Sequence, residues 1–118
     1  MSVLEYTIQR LPGRIVRLSV PGEQPVCWTP PPDVKSVCLA GLVRLLEYCQ
    51  QEGLSPTRVR IHGDLHAANV WNRYLKQWQR QHWHKAKGQP VHDKPWLIKL
   101  SVLHPQFPDL QIVGCRAK

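Results

Sequence analysis

Between Pro30-Pro31-Pro32 and Pro56 the chain carries apolar residues at helical spacing: Val34, Val37, Cys38, Leu42, Leu45, Leu46 and Cys49, widened by Leu39 and Val43. Recurrence at i, i+3, i+4 and i+7 predicts a helix over 34–52 with one broad apolar face. Such a face has to be covered, and packing on a sheet covers it. Asp33 is placed to cap the amino end, Gly53 to stop the helix and Pro56 to reinforce the stop. The triple proline forces an extended link before it.

The flanking segments supply the sheet. Residues 3–10 and 14–20 read as strands joined by Leu11-Pro12-Gly13, a hairpin, and a short strand is expected at 26–28. Residues 58–62 form an apolar-alternating strand ending at Gly63-Asp64. A second helix is expected to start near Asp64, with Leu65, Ala68, Trp71, Leu75 and Trp78 on one face. Lys94-Pro95 opens a shorter helix with Trp96, Leu97, Leu100 and Leu103 on its apolar side; Pro105 and Pro108 end it, and 110–113 is a last strand. Strand hairpins mixed with helical crossovers give an α/β or α+β class with a mixed sheet, in a single domain over 1–118.

Charge is unevenly spread. The chain has a formal net charge of +8. Residues 1–54 hold five cations and five acids, whereas 55–99 hold nine cations against only Asp64 and Asp93. A localised positive field favours polyanionic partners, nucleic acid first and an acidic membrane surface second. No apolar run approaches the ~18 residues of a membrane span, and Glu5 comes too early for a signal peptide. Cys27, Cys38, Cys49 and Cys115 form no C-x-x-C pair and read as buried thiols of a reducing, cytoplasmic setting.

Two motifs start at Asp64. The peptide 61–69, IHGDLHAAN, resembles the catalytic loop of aminoglycoside phosphotransferases and choline-kinase-like enzymes. That resemblance implies Asp64 as base and Asn69 as magnesium ligand. Phosphoryl transfer needs a second metal-binding acid and a phosphate clamp. No acid lies between Asp64 and Asp93, and about sixty upstream residues are too few for a nucleotide lobe. His62, Asp64 and His66 also place three ligand types close in sequence, but a strand-to-helix junction does not make them converge.

The longer resemblance is to type 1 ribonuclease H. Residues 58–100 carry a strand ending in Asp64, a helix, Trp78 and Trp83, a basic loop with Pro90-Val91, and Trp96. The resemblance implies a mixed sheet flanked by helices, with the helix over 34–52 as the family's first. It makes the loop after Trp83 the basic protrusion that grips an RNA–DNA hybrid. Lys76, Trp78, Arg80, Trp83, Lys85 and Lys87 become the nucleic-acid-binding residues; the tryptophans pack the second helix, and Trp83 is the one placed to stack on a base.

The resemblance also implies two magnesium ions held by four carboxylates. Only Asp64 stands at a matching position. The first helix shows Ser36, Val37 and Cys38 where a Glu is expected, the first strand offers only Glu5, and the last loop and helix would lie beyond Lys118. The expected fold is therefore ribonuclease H-like with a reduced amino-terminal meander and no carboxyl-terminal helix. Asp64, the one catalytic and metal candidate, reads as a remnant, and no cofactor is expected unless magnesium serves a residual activity. The expected ligand is an RNA–DNA hybrid or duplex RNA, held by backbone phosphates. Two other readings stand beside it: a divergent metal-dependent ribonuclease H completed by a second subunit, and an interaction or homodimerisation module using an exposed sheet edge.

Overall fold

The computed structural model describes residues 5–63, 80 and 93–115. Five strands form one sheet: β1 (Tyr6–Leu11), β2 (Ile15–Ser19), β3 (Val26–Trp28), β4 (Arg58–His62) and β5 (Gln111–Cys115). Their order is β3-β2-β1-β4-β5. The first three make an antiparallel meander, with Thr7 opposite Ser19 and Arg17 opposite Cys27. β4 then pairs parallel to β1, and β5 parallel to β4. The meander is present in full order, reduced to three residues in β3. The hairpin turns through Gly13 and Arg14, both left-handed. The Arg14 guanidinium donates to the carbonyls of Pro31 (3.0 Å) and Val34 (2.6 Å), pinning the proline link against the turn.

Helix α1 (Val37–Glu52) lies on β1 and β2, and α2 (Lys94–Leu103) packs beside it. One core joins Tyr6, Ile8, Val16, Val59, Ile61 and Ile112 of the sheet to Leu42, Leu46 and Cys49 of α1 and Leu97, Leu100 and Leu103 of α2. α1 crosses closely at Gly41, where an added Cβ would sit 3.3 Å from both Ile8 and Val16. The opposite sheet face is polar: Cys27, Arg17, Gln9, His62 and Cys115 are in register across all five strands. No described helix is long and apolar enough to cross a membrane.

Four sequence expectations need correction. α1 begins at Val37, and its cap is Ser36, whose hydroxyl accepts from Leu39 N at 3.2 Å, so Asp33 does not cap it. Val34 is only 1% exposed although it precedes the helix, which is why the apolar periodicity runs too far back. The last strand is Gln111–Cys115; Leu110 is buried just ahead of it. Of the thiols, Cys38 and Cys49 are buried, but Cys27 is exposed on β3 and Cys115 is half-buried. The Gly53 stop forms as expected, left-handed, with Leu54 N donating to Cys49 O at 2.8 Å. The helix expected after Asp64 lies outside the described residues, apart from Arg80, which is helical and exposed.

Candidate nucleic-acid interface

The segment 64–92 holds Arg73, Lys76, Arg80, Lys85 and Lys87 against the single acid Asp64. The structure fixes where it leaves and rejoins the fold. It leaves from β4, whose last register pair is His62 with Gln9. Gly63 follows, its N–H donating to Cys115 O at 3.1 Å, so β4 stays bonded to β5 up to that point. Gly63 has a φ of +100°, and a Cβ there would meet the Cβ of Arg10 at 2.9 Å, so only glycine lets the two strands run this close.

The segment rejoins at Asp93, whose carboxylate accepts from Lys35 N (2.7 Å) and Ser36 N (2.9 Å), while its carbonyl accepts from Trp96 N (2.9 Å) and Leu97 N (3.0 Å). One residue thereby opens α2 and satisfies backbone donors at the approach to α1. Asp93 is left-handed, with φ 58°, a conformation that Asp tolerates better than most residues. Just beyond, Trp96 packs partly buried on the core, with the Lys99 ammonium 4.8 Å from its ring centroid. Trp96 thus lies on the packed side of α2, as its spacing with Leu97, Leu100 and Leu103 predicts; its expected packing on the helix after Asp64 lies outside the described residues.

Of the residues expected to bind nucleic acid, Arg80 is exposed on a helix. Lys76, Trp78, Trp83, Lys85 and Lys87 lie outside the described residues, as do Asp64, His66, Asn69 and Trp71. The described cations of the basic region do not form one stripe. Arg58 and Arg60 share the polar sheet face, alternating with the buried Val59 and Ile61, while Lys94 and Lys99 belong to α2 on the other side. Charge that is contiguous in sequence is thus divided between two faces: the period of β4 turns both arginines to the polar face, and α2 carries its lysines on the other side.

A magnesium pair needs several carboxylates converging at the end of β4. Beside that end, β1 presents Gln9 and Arg10, and the first turn of α1 has no acid. Glu5 lies before Tyr6, four residues and roughly 13 Å along the strand from Gln9. There its carboxylate meets Arg60 Nε at 2.5 Å. Among the described residues no cluster of His, Cys, Asp or Glu could hold a metal. The donors among the described residues do not by themselves make a two-metal centre.

An antiparallel three-strand meander continued by two parallel strands, with helices packed on one face, is the ribonuclease H-like fold. Solved structures bear this out. A foamy viral protease–reverse transcriptase in complex with an RNA/DNA hybrid superposes with a TM-score of 0.66 at 12% identity, over 97% of this chain and 17% of that one. A second structure of that viral protein, in complex with dsDNA, gives 0.63 at 13% identity over 96% and 81%. The PFV RNase H domain in solution gives 0.59 at 11% identity over 96% and 78%. The chain therefore spans about a sixth of the protease–reverse transcriptase chain in the hybrid complex. No protein-family model matches the sequence, and no curated protein does.

Sequence reasoning missed Asp93 and Arg10. The Asp-Lys-Pro sequence at 93–95 signals a helix start, but its bond to a backbone 57 residues away is a tertiary fact. Arg10 acquires its place only through the parallel register of β1 and β4.

Proposed function

We propose that this chain is a nucleic-acid-binding ribonuclease H-like domain that grips an RNA–DNA hybrid or duplex RNA through the segment between β4 and α2, without cleaving it. The observation that carries this reading is the five-to-one excess of cations over acids in 64–92, a segment whose two ends are held by Gly63 and Asp93. Lys76, Arg80, Lys85 and Lys87 serve phosphates, which set affinity without reading sequence. Trp78 and Trp83 supply apolar surface beside them. The 2′-hydroxyls and A-form shape favour hybrid or RNA duplex over DNA. The fold likeness to proteins solved with an RNA/DNA hybrid and with dsDNA supports a nucleic-acid partner in general.

The absence of converging acids among the described residues supports a binding role. Asp64 alone would leave magnesium largely hydrated and mispositioned. Binding and cleavage can be read from one sample of labelled hybrid. The expected result is binding that weakens steeply with salt, no cleavage with Mg²⁺ or Mn²⁺, and a shallower salt dependence when Arg80, Lys85 and Lys87 are replaced by Ala. Absence of binding at low salt, or a triple variant that binds like the wild type, would falsify the reading. Cleavage abolished by Asp64→Asn would replace it with the divergent-enzyme reading.

A further inference from the structure

The edge of the sheet at β3 carries surface that the nucleic-acid reading does not use. Val26 is 61% exposed and Cys27 is exposed beside it. The register sets Val26 opposite Leu18 and Trp28 opposite Val16, so both side chains lie on the helix side of the sheet and Cys27 on the polar side. Between this edge and α1 runs a groove of about 210 Å³, lined by Leu18, Val20, Val26 and Leu45, with Glu23, Arg44 and Tyr48 among its polar groups. The two charges stand at opposite ends. Arg44 sits over Trp28, 5.5 Å from the ring centroid, at the carboxyl end of β3. Glu23 precedes β3 and accepts from the Tyr48 hydroxyl at 2.9 and 3.0 Å, one helical turn from Arg44.

We propose that this edge pairs antiparallel with β3 of a second copy of the chain, about a two-fold axis at Cys27. A two-fold brings the start of one strand to the end of the other. Glu23 of each copy then approaches the partner's Arg44, so the charged rim is complementary to itself. On the helix side Val26 meets the partner's Trp28, an aromatic–β-branched cross-strand pair of the favourable kind. On the polar side the two Cys27 residues face each other directly, with Cβ atoms about 4.5–5.5 Å apart, close to disulfide geometry. The edge strand's outward backbone groups gain partners that a lone chain must take from water. β5, the other edge, offers the exposed Val113 on the polar face instead. The three-residue strand limits the pairing to a weak, concentration-dependent dimer.

The test uses the full chain without nucleic acid, so its outcome is separate from that of the binding reading. Sedimentation equilibrium up to about 1 mM, the weak end of specific association, is expected to show monomer–dimer exchange. Arg44→Glu and Glu23→Arg should each weaken association by about tenfold or more, since like charges then meet, and the double swap should restore it. Diamide, taking two electrons and two protons from the paired thiols, should give a covalent dimer that Cys27→Ser abolishes and Cys115→Ser keeps. If Arg44→Glu proves unfolded by circular dichroism, Val26→Lys at its exposed position carries the same expectation. A chain monomeric throughout, a double swap that fails to restore association, or a covalent dimer formed through Cys115 would overturn the proposal.

Discussion

The Asp93 carboxylate accepts a 2.9 Å hydrogen bond from the backbone N–H of Ser36, and a second, of 2.7 Å, from Lys35. This pair joins the start of α2 to the approach of α1 and closes the fold at the point where the basic segment returns. Asp93→Ala removes a charged acceptor from two amides and places Ala in a left-handed conformation. Charged hydrogen bonds contribute about 1.5–3 kcal/mol each when formed inside a protein, and less at a part-exposed site. Urea unfolding should show a loss of about 2 kcal/mol, as for two charged hydrogen bonds weakened by exposure. Asp93→Asn should lose less, because it tolerates the same backbone conformation.

The contrast between α1 and Asp93 shows what the chain reveals locally. The stripe from Val37 to Cys49 is legible because helical periodicity repeats over four turns. Its start is not, because Val34 is buried without being helical: apolar spacing reports burial, and only the cap reports backbone bonding. The meander and β4 are legible from alternation, turn residues and the proline link. Strand order is not local, and the place of Arg10 beside Gly63 and of Glu5 beside Arg60 follows from it. Glu5, the one acid available to the first strand, is thus a partner of Arg60 on the far side of Tyr6 from the end of β4.

Gly63 and Gly22 are both left-handed, but only Gly63 is crowded. A Cβ at Gly22 meets nothing within 4 Å, whereas at Gly63 it meets Arg10 Cβ at 2.9 Å. Gly22→Ala should therefore cost only the backbone strain, about 1 kcal/mol. Gly63→Ala adds a strand-to-strand clash, and forced repacking costs about 1–3 kcal/mol more. Thermal melts of the two variants should separate accordingly; equal melting temperatures would mean that β1 and β4 part more easily than their register implies.

Cys49 lies in the core of α1, and burial pushes its thiol from 9.0 up to about 11. Its neutral form is therefore favoured in the folded chain. Below about pH 9 both folded and unfolded chains keep the proton and the contribution to stability is complete. From about pH 9 to about pH 11 the unfolded chain loses its proton first, and stability falls. Burial first, then the charges of Cys49 and Glu23, also raise the Tyr6 hydroxyl, which acts in the same direction at higher pH. Cys49→Ala removes the thiol's share. Its stability deficit against the wild type, large at pH 8 because of the cavity, should shrink by pH 11; a constant deficit would mean that the thiol does not titrate between those limits.

Trp96 and Lys99 separate support of the proposed interface from the interface itself. The indole is partly buried against the core, with the Lys99 ammonium 4.8 Å from its centroid on the exposed side. An exposed cation–π pair contributes about 0.5–1 kcal/mol, so Lys99→Ala should leave the melting temperature nearly unchanged. Trp96→Ala empties a half-filled site under α2 and should cost about 2 kcal/mol, below the range for a fully buried Trp. Because α2 begins at Asp93, loosening it also loosens the return of the segment carrying Arg80, Lys85 and Lys87. Hybrid affinity should then fall in Trp96→Ala without a change in salt slope, since no phosphate contact is removed. A reduced slope in this variant would place Trp96 or its neighbours at the nucleic acid, and a normal affinity would show that the segment holds its ligand independently of α2.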